Sequence, residues 1–222
     1  MSRPRIVAIA AMSVDGKIAD RGGSPARFAS AVDKSHLETQ IAQLDAVMFG
    51  ANTLRAYGTS LVIRAPELLQ QRQQAGKPAQ PIHIVCSRSG AIAQDLAFFR
   101  QPLPRWLMSS AEGGNPWRDR QHFEQIIELD AGDAWQEILT SLSAQNIQHL
   151  GILGGGELIA SFAEQRLIDE LWLTLCPILL GGKDAPTLMA GEGFWESQGL
   201  RLELIESQVI ASEIFVHYRV CD

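Results

Sequence analysis

Hydrophobic and polar residues along this chain follow two rhythms. Short continuous apolar runs, the first being Arg5–Ser13, alternate with stretches in which apolar residues return every three or four positions. A short apolar run bounded by polar loop residues marks a strand buried on both faces, and the longer period marks a helix with one buried face. On that basis the sequence predicts strands over Arg5–Ser13, 45–49, 81–86, 105–108, 125–129 and 149–153. Helices are predicted over 31–44 (Leu37, Ile41 and Leu44 on one face), Pro66–Gln74, 133–145 and 157–165, with a helical turn over 52–56. Pro66 is a start signal and Gly76 a stop. Asp133 is placed to cap its helix, with Gln136 three residues on and Trp135, Ile138, Leu139 and Leu142 sharing a face. Segments 14–23 and 112–116 read as loops. The C-terminal part changes character: Glu170–Cys176, 200–209 and 213–220 all favour strand, and Ile214, Val216, Tyr218 and Val220 alternate with Phe215, His217 and Arg219. Alternating β/α units followed by consecutive strands predict an α/β fold, with a mostly parallel central sheet and antiparallel C-terminal strands. With no linker or internal repeat, one domain over 1–222 is the economical reading.

Composition narrows the function classes. The 222 residues are 46% hydrophobic and carry a formal net charge of −6, so a sizeable core needs no covalent staples, and nucleic acid is not the default partner. A single local site for a small anion stays compatible with that charge. Cys86, Cys176 and Cys221 are far apart without a Cys-x-x-Cys, which suggests neither disulfides nor zinc and fits a reduced, cytoplasmic setting. The five histidines lack metal-ligand spacing. Arg3 and Arg5 before an apolar run resemble the start of a signal peptide. However, Asp15, Lys17, Asp20 and Arg21 follow at once, so a buried first strand is the better reading. No apolar stretch approaches the roughly 18 residues of a membrane span.

Candidate chemistry gathers at three predicted strand ends. After the strand at 149–153, Gly154-Gly155-Gly156 opens a helix. Bare backbone N–H groups and a helix N-terminus suit a phosphate, and a tight ligand-free turn suits the same residues. The spacing is neither a Rossmann fingerprint nor a Walker loop, and Gly181-Gly182-Lys183 is followed by Asp184. After the first strand, Ser13, Asp15 and Lys17 offer a hydroxyl, a carboxylate and an ammonium group, in a loop whose composition equally suits plain solvation. After 45–49, Asn52 and Thr53 either cap a helical turn or bind polar groups of a cofactor. Asp169 and Glu170, between apolar residues at a strand start, suit a structural or dimer-face role better than acid–base work.

Six motifs in order extend over nearly the whole chain. They are Ser13-Val14-Asp15-Gly16-Lys17-Ile18-Ala19; Gly23-Ser24; Asp45-Ala46-Val47 with Gly50-Ala51-Asn52-Thr53; Gly154-Gly155-Gly156-Glu157-Leu158; Leu167-Ile168-Asp169-Glu170-Leu171; and Pro177-Ile178-Leu179-Leu180-Gly181-Gly182. In this order and spacing the chain resembles the reductase domain of riboflavin biosynthesis, a branch of the dihydrofolate-reductase-like family. The resemblance implies a dihydrofolate-reductase-like three-layer fold and an NADPH-dependent reductase. Its substrate would be 5-amino-6-(5-phosphoribosylamino)uracil, whose opened sugar accepts hydride at C1′ to give the ribitylamino product. By the same resemblance Met12, Gly50, Asn52, Thr53, Ser87, Gly154, Gly155, Gly156, Glu157 and Leu158 hold NADPH. Ser13, Ser24, Leu61 and Arg64 hold the substrate, and Lys17 and Asp15 carry the catalysis. Lys17 would polarise an oxygen or stabilise developing charge. Arg64 would hold the substrate phosphate, although outside this context it reads as an exposed surface arginine. A homodimer is implied, with the β-rich C-terminal part as its face.

The chain also departs from the family pattern. Gly154 stands where a glutamate is usual. Pro25-Ala26-Arg27-Phe28 follows Gly-Ser, where a tryptophan is common. Ile41 replaces a basic residue, and Tyr57-Gly58-Thr59 replaces an acidic-acidic-proline segment. These changes fall on the substrate half. They keep open a dihydrofolate-reductase-like enzyme for another pterin or carbonyl, and an NADPH-binding protein that has lost catalysis. The zinc deaminase often fused to this family has no signature here, so a stand-alone reductase is expected.

Overall fold

The computed structural model describes residues 3–129 and 135–221. In chain order the elements begin with β1 (Arg5–Ser13), α1 (Ala31–Gln43), β2 (Ala46–Gly50), α2 (Ala51–Tyr57), α3 (Pro66–Gln74) and β3 (Ile82–Cys86). A 3-10 turn (Ala97–Arg100), β4 (Arg105–Ser109), α4 (Ala111–Arg118), β5 (Gln125–Glu128) and α5 (Trp135–Ala144) follow. The last are β6 (His149–Ile152), α6 (Gly156–Glu164), β7 (Glu170–Cys176), β8 (Arg201–Ile210) and β9 (Glu213–Cys221). The predicted bounds of β1, α3 and β7 coincide with the observed ones. The proposed cap at Asp133 lies outside the described residues.

The chain divides into two compact units, one over Glu38–Gly151 with the described residues 3–4, and one over Arg5–Leu37 with 152–221. In the first, the strands run in the order β5-β4-β3-β2-β6, and β2–β3, β3–β4 and β4–β5 pair in parallel. The middle strands carry mostly apolar residues, as strands buried on both faces do; Val47, Met48, Ile84, Val85, Leu107 and Met108 have no exposed surface. In the second unit the order is β1-β7-β9-β8. β1 and β7 are parallel, with Val7 opposite Glu170 and Ser13 opposite Cys176. The pairs β7–β9 and β9–β8 are antiparallel. The α/β reading with antiparallel C-terminal strands is therefore correct.

Side chains complete the backbone bonding where the ladders begin. In the first unit, Asp45 Oδ2 accepts the N–H groups of Gln148 and His149, both at 2.9 Å. Its other oxygen pairs with Lys77 at 2.7 Å. Burial alone would raise this carboxyl, but the Lys77 ammonium and the two N–H groups outweigh it and hold the group below its usual range. Arg72, only 2% exposed, donates to the carbonyls of Ala42, Leu44 and Pro78. Buried carbonyls left without a donor would cost about 1–3 kcal/mol each. In the second unit Asp169 Oδ2 accepts the Ile6 N–H at 2.7 Å, and Glu170 holds Arg5 and lies 3.3 Å from His217 Nε2. Both acids thus have the structural role that their apolar flanks suggested.

One expectation is corrected. Residues 112–116, read as a loop, lie inside α4. Ser110 caps this helix by accepting the Gly113 N–H at 3.1 Å, and Trp117 is buried with Nε1 donating to Gly90 O at 2.8 Å. Gly113 is there for close approach rather than for a turn: a Cβ on it would stand 2.1 Å from Arg88 O and 2.6 Å from Ser109 Oγ. A Cβ on Gly114 would meet the Ile126 methyl at 3.1 Å and Ser109 Cβ at an ordinary 3.9 Å. Gly113→Ala is therefore expected to cost about 1–3 kcal/mol through overpacking against rigid backbone. Gly114→Ala should change stability little, since the helix-propensity gain of up to about 1 kcal/mol offsets the tight methyl contact. Urea unfolding of the two variants reads the difference.

Candidate active site

β1 delivers Ser13, wholly buried, to a tight turn. Gly16 N–H donates to Ser13 O, Ser13 N–H to Lys17 O, and Lys17 N–H to Ser13 Oγ, each at 2.9 Å. Ser13 Oγ in turn donates to Asp15 Oδ1 at 2.7 Å. The Asp15 carboxylate also reaches a second loop, accepting Leu180 N–H at 3.1 Å and Gly181 N–H at 2.6 Å. The Ser13 hydroxyl, then these two N–H groups, bring Asp15 down to about 2. It is an anion at neutral pH and has no proton to lend; in this geometry it fastens 177–182 to the turn. Lys17 lies against the continuation of that loop. Its Nζ donates to Ala185 O at 3.2 Å, its backbone forms an antiparallel bridge with Thr187, and Ile18 N–H donates to Pro186 O at 2.9 Å.

The glycine run joins the same cluster. Gly154 has φ +103, a conformation that side chains rarely adopt, and nothing lies within 4 Å of where its Cβ would stand. Gly155 is the N-cap of α6 and makes no side-chain cap bond. A Cβ on Gly156 would stand 2.2 Å from Thr187 O, and Ala190 N–H donates to Gly156 O at 3.2 Å. Segment 185–190 thus contacts both Lys17 and the start of α6, and it brings Ser13, Asp15, Lys17 and Gly156 into one cluster. Glu157 is exposed, and Met12 and Leu158 are half-buried. Ser24 is exposed in a turn that Asp20 holds by accepting the Gly22 and Ser24 N–H groups. Beneath the end of β7, Glu213 accepts the Ser30 N–H at 2.9 Å, and the Cys176 thiol lies 3.7 Å from its carboxylate. Burial, with Glu213 and Asp33 beside it, pushes that thiol up to about 12, so it is inert.

In the first unit, Gly50 ends β2 directly opposite Cys86 at the end of β3, with Ser87 next in the chain. Gly50, Asn52, Thr53 and Ser87 are therefore gathered at the carboxyl ends of two adjacent parallel strands, the usual ligand edge of such sheets. The capping alternative for Asn52 and Thr53 falls: α2 begins at Ala51, Gly50 is its N-cap, and no side chain caps it. Asn52 Oδ1 instead accepts from Arg55 Nη2, while Arg55 Nη1 donates to Ala91 O at 2.8 Å. Leu61 is half-buried and Arg64 exposed, both on the segment between α2 and α3. Of the departing positions, Arg27 and Tyr57 are exposed, whereas Ile41 is fully buried in the core. That face of α1 packs instead of offering charge.

Residues 4–216 match the family described as the RibD C-terminal domain. The chain belongs to this family. The match runs through both units. A relative from Archaeoglobus fulgidus, named 2,5-diamino-6-ribosylamino-4(3H)-pyrimidinone 5′-phosphate reductase, is 29% identical over 92% of this chain and 93% of its own length. A relative of the same name from Methanothermobacter thermautotrophicus is 28% identical over 98% and 99%. Among solved structures, a pyrimidine reductase-like protein from Corynebacterium diphtheriae superposes with a TM-score of 0.83 at 20% identity, covering 99% of this chain and 92% of that one. Dihydrofolate reductase from Enterococcus faecalis gives 0.56 at 14% identity, covering 98% and 97%. The fold of this RibD C-terminal domain is thus dihydrofolate-reductase-like.

The depressed Asp15 carboxyl has a consequence for acid stability. Its contribution is present above the ordinary value of 3.8 and is lost as pH falls towards about 2. Asp15→Asn should therefore be less stable than the parent at pH 6, and the gap should narrow through that acid window. Denaturant unfolding of both proteins between pH 2 and 6 measures it.

Proposed function

We propose that this chain is an NADPH-dependent reductase that acts on a ribosylamino-pyrimidine 5′-phosphate in riboflavin biosynthesis, with 1–222 as a single reductase domain. The observation that carries the reading is the likeness, along nearly the whole chain, to stand-alone relatives named for that reduction. The sequence resemblance suggests 5-amino-6-(5-phosphoribosylamino)uracil as substrate, while those relatives are named for the 2,5-diamino-pyrimidinone. The two share the ribosylamino arm and its phosphate, which is where the reaction occurs, and differ on the pyrimidine ring. No helix among the described residues is long and apolar enough to cross a membrane, and this reading sets the enzyme in the cytoplasm.

The residues fit a dinucleotide. Gly154 leaves its Cβ direction open, and α6 begins with backbone alone, as a phosphate at a helix N-terminus requires. Gly50, Asn52, Thr53 and Ser87 offer small and polar groups at the ends of β2 and β3. When bound, the nicotinamide supplies the hydride for C1′. The chain's own task is alignment and charge. Lys17, held by its backbone to Ser13 and Thr187, presents an ammonium that stabilises the open-chain form of the sugar. Asp15 keeps the Lys17 turn and the 177–182 loop together. Arg64 receives the phosphate.

NADPH oxidation followed at 340 nm should require one of the two pyrimidine phosphates. Binding of NADPH without turnover on either would overturn the substrate reading. Lys17→Ala should lower kcat by about 10²-fold or more with NADPH affinity nearly unchanged. Gly155→Leu should do the reverse.

A homodimer belongs to the same reading. β8 is exposed along its length, and Leu202, Leu204, Ile205 and Val209 form an apolar edge with Ile214 of β9. A long apolar edge strand invites pairing unless it is covered, and a second copy of the chain covers it. The protein should sediment at twice the chain mass, and Val209→Asp should shift it to the monomer.

A further inference from the structure

Residues 58–65 connect α2 to α3 and belong to neither helix nor strand, yet side chains from the same unit hold their backbone at three points. Gln101 Oε1 accepts the Ser60 N–H at 2.8 Å, and its Nε2 donates to Ser60 O at 2.7 Å. Gln80 treats Ile63 in the same way, accepting its N–H at 2.9 Å and donating to its carbonyl at 2.8 Å. Glu38 Oε1 accepts the N–H groups of Arg64 and Ala65, the second at 2.8 Å. A primary amide that bonds both the N–H and the C=O of one residue reproduces the pair of bonds an antiparallel neighbour would give. Most surface connections leave such groups to water.

The bracing surrounds one cation. Arg64 is the only charged residue between 58 and 65, and no hydrogen bond or ion pair engages its exposed guanidinium among the described residues. The guanidinium groups of Arg55, Arg72 and Arg105, all in the same unit, donate to carbonyls. Ile63, beside Arg64, is 2% exposed and anchors the segment from below. Ser60 adds a further tie, with its hydroxyl 2.8 Å from His83 Nδ1. His83 has no exposed surface, and burial, with Arg105 and Arg72 nearby, pushes it down to about 3. It is a neutral partner at working pH.

We propose that Gln80 and Gln101 are positioning residues, and that their paired amide bonds hold 60–65 extended so that Arg64 meets the substrate's phosphate in a fixed place. A guanidinium on a mobile connection would lose conformational freedom on binding, and pre-ordering the segment removes that cost from the binding step. The inference rests on the reading of Arg64 as the phosphate contact, and the experiment separates the two.

Steady-state kinetics compare the pyrimidine phosphate with its dephosphorylated counterpart, for the parent, Arg64→Ala, Gln80→Met and Gln101→Met. Arg64→Ala should raise KM for the phosphorylated substrate about tenfold or more and leave the other substrate unaffected. Gln80→Met and Gln101→Met should raise the same KM about 5- to 20-fold, keep kcat within about twofold, and add nothing in the Arg64→Ala background. If Arg64→Ala keeps the full preference for phosphate, the phosphate reading of Arg64 fails. If Arg64→Ala removes the preference while both glutamine variants retain it, the positioning proposal is overturned. It is equally overturned if the glutamine variants lose affinity for both substrates and for NADPH by the same factor, because that is general loosening. Should a methionine variant fail to fold, Gln80→Glu and Gln101→Glu carry the same test. They keep the volume and the acceptor and lose the donor.

Discussion

A backbone N–H or C=O taken out of water must find a partner, and a parallel sheet creates that need at both ends of every strand. In this chain side chains meet it. Asp45 takes the N–H groups of Gln148 and His149 at the start of β6, and Arg72 takes three carbonyls nearby. At the other end of β1, Asp15 takes the N–H groups of Leu180 and Gly181. The same device, built from Gln80, Gln101 and Glu38, holds 60–65. Without these groups the strands could still pair, but the loops that carry the candidate site residues would lose the bonds that hold their backbone.

This requirement also divides the roles of charged residues at the site. A carboxylate that accepts a hydroxyl and two N–H groups is stabilised as an anion, which is why Asp15 lies so far below its ordinary range. A residue held in that way organises but does not donate protons. Lys17 is held mainly by its backbone, and its ammonium makes one bond, to Ala185 O. A chain of net charge −6 can thus receive anionic ligands. On the proposed reading Lys17 and Arg64 are the cations that meet those ligands, and the carboxylates bonded beside them, Asp15 and Glu38, already accept backbone N–H groups.

Most strands were legible because buried parallel strands are written as uninterrupted apolar runs, so the bounds of β1 and β7 could be read directly. α4 was not, because Gly113, Gly114 and Pro116 are local signals for a loop. What sets them is tertiary: Gly113 lies against Arg88 and Gly90. The strand-end residues Ser13 to Lys17 and Gly154 to Gly156 were visible as motifs, yet segment 185–190, which joins them, carries no signal of its own. Gln80 and Gln101 were invisible for a similar reason. Their partners are 17 and 41 residues away, and an isolated glutamine on a polar stretch does not announce a contact at that range.

The departure at Gly154 is a matter of backbone as much as of charge. Its φ of +103 lies where L side chains are strained whatever the space around them. A glutamate at that position would therefore need a different local chain path, even though nothing occupies the direction of its Cβ. Gly156 cannot take up the role, because its Cβ would collide with Thr187 O. Glu157 is the nearest carboxylate along the chain, but it is exposed in the first turn of α6. In this chain the turn into α6 therefore offers bare backbone where the family pattern has a carboxylate.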